Sequence, residues 1–261
     1  MPPTLLMVVL VGAGIGFLGG LLGKGGSALA TPVLVFCGIP PIIALAAPLP
    51  ATVPGSLVAA DGYRRKGLID KRILKWSLIA GIPATICGAV ASRWVDAGSL
   101  VGVTDVMLVG LGARMAWHAG RGPADAEVAW TNGGAVAAGD RDEVGRTIAV
   151  AVVTGLAAGL LANSGGFMLA PLFVAVLGLP IKPAFGTSLA VAAVLAVPGT
   201  LVHLALGHLN LAVVLAFAAG SVPLAGLGAR VALRTDPTRL ERGYGVVLVV
   251  LGVAFLAGPH L

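Results

Sequence analysis

Apolar stretches follow one another along nearly the whole chain, bounded by Gly, Pro or charge, and many approach the roughly 20 residues a helix needs to cross a bilayer. Lipid offers no hydrogen bonds to a backbone. Segments of this kind must satisfy their own peptide groups and therefore fold as a bundle of spanning helices. Of 261 residues, 57% are hydrophobic and only 11% charged, and the mean hydropathy is +1.00, too apolar for a soluble domain with a charged exterior. The expected fold class is all-α, a polytopic membrane protein with the bilayer as solvent.

The apolar runs divide into five per half. The first half reads Leu5 to Leu22, Gly26 to Phe36, Pro41 to Ala60, Ile73 to Ala91 and Ser99 to Trp117. The second reads Ile148 to Leu161, Gly166 to Leu177, Pro183 to Leu206, Leu211 to Leu233 and Leu240 to Ala257. In each half the second run is too short to span, which predicts a re-entrant segment or one arm of a broken helix. The run Leu5 to Leu22 has no basic region before it and its Gly-rich end reappears later, so it is expected to be retained as a helix.

The halves also match residue by residue. Gly16-Phe-Leu-Gly-Gly-Leu-Leu-Gly-Lys-Gly-Gly aligns with Gly155-Leu-Ala-Ala-Gly-Leu-Leu-Ala-Asn-Ser-Gly, and Pro32 then pairs with Pro171. One inserted residue later Gly38-Ile39-Pro40 meets Gly178-Leu179-Pro180, and Tyr63, Gly67 and Asp70 meet His203, Gly207 and Asn210. Pro83 and Gly88 meet Pro223 and Gly228. The pattern predicts a duplication, with a first repeat over 1–118, a linker over 119–146 and a second repeat over 147–261.

Charge placement sets the expected orientation, since Lys and Arg mark the cytoplasmic side. Three clusters, Tyr63 to Lys75, Arg114 to Arg146 and Arg230 to Arg242, hold 14 of the 17 basic residues. The first cluster joins runs three and four of its half, the last joins runs four and five of the other, and the equivalent of the first, His203 to Asn210, has neither Lys nor Arg. The two repeats are thus expected to have inverted topology, with both termini outside. The net charge of +6 is accounted for by topology and has no interleaved aromatic residues, so no nucleic-acid partner is expected. Cys37 and Cys87 lack metal or disulfide spacing and are expected to be buried small hydrophobes.

Inverted repeats with interrupted helices suit transport, because two half-helix ends meet near the midplane and alternating access follows from relative motion of the halves. The interruptions here are Gly23-Lys24-Gly25-Gly26-Ser27 and Ala162-Asn163-Ser164-Gly165-Gly166. Each precedes a short helix, whose first turn carries free N–H groups and the positive end of the macrodipole, a natural anion site. Lys24, Ser27, Asn163 and Ser164 add donors, and Gly23, Gly25, Gly26, Gly165 and Gly166 allow close approach. Lys24 also fits an interfacial role. Thr187 and Ser188 could complete the donor ring, or bond back to their own helix.

Asp105 could carry a coupling proton, or pair with a neighbouring helix. His203 and His208 are expected at the outer interface, and Tyr63, Trp76, Trp94 and Trp117 in an aromatic belt. Gly23-Lys24 is not a nucleotide-binding loop, because Leu18 and Gly25 stand where that pattern needs Gly and Ser or Thr. No Gly-x-Ser-x-Gly frame surrounds Ser164, which leaves an intramembrane serine hydrolase with His203 as a minor alternative. No enzyme activity, metal or cofactor is expected.

The doubled motif GFLGGLLGKGGSALATPVL with Gly-Ile-Pro, then GLAAGLLANSGGFMLAPLF with Gly-Leu-Pro and Phe-Gly-Thr-Ser-Leu, resembles the sulfite exporter TauE/SafE family of bacterial membrane transporters. The resemblance covers nearly the whole chain except the loop around Arg121 to Glu143. It implies a multi-pass protein of the bacterial inner membrane that moves sulfite, sulfoacetate or related organosulfur anions, in most members outward, without a nucleotide domain or metal. Gly-Lys-Gly-Gly-Ser and Ala-Asn-Ser-Gly-Gly depart from the family's Gly-x-Gly-Gly-Gly, and Ala46-Ala47-Pro48-Leu49 departs from Gly-Thr-Ser-Leu. A substrate other than sulfite is compatible with these departures. The competing class is a membrane-embedded scaffold or binding component, and either class allows a homo-oligomer.

Overall fold

The computed structural model describes residues 5–23, 27–91, 106, 109–117, 119, 141–160 and 166–257, and every regular element among them is helical. In chain order they are α1 (Leu5–Leu21), α2 (Ser27–Phe36), α3 (Pro41–Ala46), α4 (Pro48–Arg65), α5 (Lys71–Ala91), α6 (Arg141–Leu160), α7 (Gly166–Leu177), α8 (Ile181–Ala205), α9 (Leu211–Arg234) and α10 (Pro237–Ala257). Residues 109–117 are also helical. Pro48 and Pro50 remove two backbone donors where α3 meets α4. Ala47 between them keeps helical dihedrals (φ −60°, ψ −35°), so Pro41–Arg65 runs as one span. With Lys71–Ala91, Asp142–Leu160, Ile181–Ala205 and Leu211–Arg234 it makes five helices, among the described residues, long and apolar enough to cross a membrane.

The expected segments are recovered with shifted edges, apart from Ser99 to Trp117, most of whose first half lies outside the described residues. α4 runs on to Arg65, so Arg64 and Arg65 lie in its last turn, where cations favour a helix end. α6 begins at Arg141, seven residues before the expected Ile148, with Asp142 and Glu143 in its first turn. The end of the expected linker is therefore helix. Glu143 approaches Arg72 of α5 at 3.8 Å, which puts the starts of α5 and α6 side by side.

The Gly-x-x-Asp/Asn motif of the repeat has a local cause. After α4, Gly67 takes φ +68° and Leu68 N–H bonds the Tyr63 carbonyl at 3.0 Å; after α8, Gly207 takes φ +71° and His208 N–H bonds the His203 carbonyl at 3.0 Å. Each glycine ends a helix in a conformation that costs other residues strain. The following acidic or amide residue starts the next helix. Asp70 Oδ1 accepts from the N–H groups of Arg72 and Ile73, and Asn210 Oδ1 from those of Ala212 and Val213.

α8 is the central helix. Of residues 181–196 all but Ala190 and Val194 are buried. It crosses α4 antiparallel: a Cβ on Gly186 would lie 2.7 Å from Tyr63 Cβ at one end, and one on Gly199 would lie 3.6 Å from Leu49 Cδ1 at the other. On either side stands a pair of helices packed backbone to backbone. α1 lies along α9, with Gly12, Gly16 and Gly20 against the carbonyls of Phe217, Ser221 and Ala225, and Gly228 against that of Phe17. α6 lies along α5, with Gly155 and Gly159 against the carbonyls of Gly81 and Thr85, and Gly88 against that of Leu156. Small residues four apart let membrane helices approach until dispersion holds them. The contacts correspond under the repeat: Gly16 on Ser221 is matched by Gly155 on Gly81, and Gly20 on Ala225 by Gly159 on Thr85.

Both glycine seams join a helix of one half to a helix of the other. Two expectations are corrected. Tyr63 is fully buried beside α8 rather than in an aromatic belt, since Gly186 leaves room for its ring. Cys87 is exposed on the outer face of α5 and Cys37 half-buried after α2, so neither is a core residue. Trp117 is exposed and Trp76 half-buried, and Trp94 lies outside the described residues.

Candidate functional site

The first break is described at its leading edge. α1 ends at Leu21, and Gly23 turns away with φ +64°. A Cβ there would lie 2.5 Å from the Phe185 ring, so the backbone is seated directly on an aromatic face. That ring is held in turn by an edge-on contact with Tyr244 of α10, centroids 5.1 Å apart. Ser188 Oγ donates to the Gly23 carbonyl at 2.7 Å and also approaches the Phe185 carbonyl at 3.0 Å. The break is thus fastened to α8 near the middle of the fold. α2 then begins at Ser27, while Lys24, Gly25 and Gly26 lie outside the described residues.

Thr187, beside Ser188, faces elsewhere. Its Oγ1 accepts from the backbone N–H of Asp70 at 3.0 Å, so it braces the α4–α5 corner while Ser188 holds the Gly23 carbonyl. In the second break Asn163, Ser164 and Gly165 lie outside the described residues, and Gly166 opens α7. Asp105 also lies outside them. His203 and His208 meet across the Gly207 turn, Nδ1 to Nδ1 3.2 Å.

Inward of the Gly23 break lies a cavity of about 20 Å³ open to the centre of a water molecule, bounded by Gly16, Gly19 and Gly20 of α1, Thr52, Gly55 and Ser56 of α4, Leu189 of α8 and Ser221 of α9. That volume suits one water-sized group. Thr52, Ser56 and Ser221 are buried. Thr52 Oγ1 donates to the Pro48 carbonyl at 2.9 Å, and Ser221 Oγ has no hydrogen-bond partner among the described residues. Residues 51–56 lie halfway along the Pro41–Arg65 span, so these hydroxyls sit at mid-membrane depth. Sequence reasoning did not single them out, although Thr52 and Ser56, four apart on one helix face, stand opposite Ala192 and Ala196 in the repeat, and Ser221 opposite Gly81. Lys182, in the first turn of α8, is also buried, at 8% exposure.

A glycine-rich break fastened to the central helix suits a solute-handling membrane protein, and similarity to known families decides which kind. The model of the family described as sulfite exporter TauE/SafE matches residues 8–255. This chain belongs to the sulfite exporter TauE/SafE family. Probable membrane transporter proteins from two strains of Xylella fastidiosa, 9a5c and Temecula1, are each 26% identical to it over 253 residues, which cover 95% of this chain and 94% of theirs. The probable membrane transporter protein YjnA of Bacillus subtilis is 35% identical over 77 residues, 30% of each chain. No solved structure is a significant match. As a TauE/SafE member with helices of spanning length, the chain is a multi-pass membrane transporter.

Proposed function

We propose that this transporter is a carrier, not an enzyme, moving small sulfur-containing anions such as sulfite or an organosulfonate out of a bacterial cell across the inner membrane. The observation that carries the reading is the Gly23 break, fastened to the central helix by Ser188, with α2 beginning at Ser27. The free N–H groups of α2 and α7, with Lys24, Ser27, Asn163 and Ser164, are the anion ligands. Hydroxyl, amide and backbone donors bind an oxyanion without a metal or nucleotide.

Export needs no further energy source, because an inside-negative potential supplies about 2.3 kcal/mol per charge per 100 mV. Inverted repeats are supported by the antiparallel course of α4 and α8, which are equivalent in sequence, and both termini outside by the basic clusters at Tyr63 to Lys75, Arg114 to Arg146 and Arg230 to Arg242. Alternating access follows if the α1–α9 and α5–α6 pairs move as units against α4 and α8, leaving each glycine seam intact.

Purified protein in liposomes should move sulfite, thiosulfate or sulfoacetate along an imposed potential, with saturation. Lys24→Ala and Asn163→Ala should each raise KM several-fold. Vesicles that carry folded protein yet show no saturable flux of any of these solutes would sink the reading. Flux with KM unchanged in both variants would reject the ligand assignment alone.

A further inference from the structure

We propose that Thr52, Ser56 and Ser221 form a mid-membrane station for the transported oxyanion, on the seam between α4 and the α1–α9 pair. The inference rests on the transport reading above and adds to it a ligand set that the two glycine breaks do not supply.

Three observations converge on this cavity. Ser221 is 6% exposed and its hydroxyl has no partner among the described residues, although a buried hydroxyl without one is costly and its repeat equivalent is a glycine, Gly81. A side chain that only packed would need no oxygen there. Thr52 and Ser56 face the same space from the next helix, and Thr52 can turn its proton from the Pro48 carbonyl toward a ligand at little cost, since that carbonyl is also in reach of the helix N–H. The station also borders the break directly, Leu189 of its wall following Ser188, which holds Gly23.

Hydroxyl donors without a fixed charge suit a station on a pathway, because an anion must be held well enough to shed water yet weakly enough to leave. At about 20 Å³ the cavity takes a water-sized group and is smaller than a sulfur oxyanion. Its walls differ in how readily they part. α1 and α9 touch backbone to backbone, whereas a Cβ on Gly55 of α4 would lie 3.9 Å from Ala225 Cβ and one on Gly62 3.4 Å from Leu233 Cδ1. The α4 side is packed through side chains rather than backbone to backbone. The counterpart positions Ala192, Ala196 and Gly81 offer no hydroxyl, so this set of three does not recur at the equivalent positions of the repeat.

The test is initial-rate flux in proteoliposomes with sulfite and with the bulkier sulfoacetate. Ser221→Ala, Ser56→Ala and Thr52→Val are close in shape to the native residues. Each is expected to raise KM about tenfold, the loss of one hydrogen bond to a charged group, with maximal rate nearly unchanged. Gly55→Ala has room for its methyl and narrows the cavity, so it should lower the sulfoacetate-to-sulfite rate ratio. Wild-type KM in all three hydroxyl variants, or an unchanged ratio in Gly55→Ala, overturns the station while transport stands. Absence of saturable wild-type flux removes the transport reading and the station with it.

Discussion

Ser188 reaches 2.7 Å across the fold to the carbonyl of Gly23, 165 positions earlier in the chain. The bond ties the end of α1 to the central helix beside the Phe185 ring. In the other half Pro48 stands in the position equivalent to Ser188. Proline has no hydroxyl, so it cannot make the equivalent bond.

Ser188→Ala should therefore lower stability by about 1–2 kcal/mol, the cost of leaving a buried carbonyl unpaired. Gly23→Ala should cost more, because it adds the strain of φ +64° to a clash with Phe185. Thermal unfolding in detergent reads both. Equal melting temperatures for Gly23→Ala and wild type would show that the Gly23 turn is not held against Phe185.

The glycine seams make a second prediction. Gly20→Leu and Gly159→Leu each drive a side chain into a facing backbone carbonyl, so both should lose folded protein, by at least the 1–3 kcal/mol of overpacking. Gly14→Leu, on the same helix as Gly20, meets nothing within 4 Å and should be tolerated. Monodisperse yield by size-exclusion chromatography separates the cases. Similar loss at Gly14 and Gly20 would argue against close contact between α1 and α9.

The two corners make a third. Asp70→Ala and Asn210→Ala each remove a side-chain oxygen that caps two N–H groups, and each should cost about 1 kcal/mol. Restoring the cap with Asp70→Asn should recover most of that loss. Failure of Asn to rescue would mean that the charge of Asp70, rather than its cap, stabilises the α4–α5 corner.

Much of this was legible from residue order. Apolar runs announce helices because lipid leaves the backbone no other partner, and α5, α7, α8 and α9 begin or end within a few residues of the expected positions. The Gly67–Asp70 and Gly207–Asn210 corners were visible as matched motifs, since a left-handed glycine and a side-chain cap are local devices. The start of α6 was missed. Arg141 to Arg146 reads as a charged loop, yet Asp142 and Glu143 favour a helix N-terminus and extend α6 beyond its apolar core.

Order of residues alone therefore determined the solvent, the helices, the paired glycine breaks and the family, all properties of short stretches read against lipid or against each other. Only the tertiary structure decided which glycines face which backbones, that Thr187 braces Asp70 while Ser188 holds Gly23, that Tyr63 is buried, and that Thr52, Ser56 and Ser221 share one cavity. Periodicity assigns a residue to a face of its own helix, but the neighbour across that face is chosen by how closely whole helices can approach.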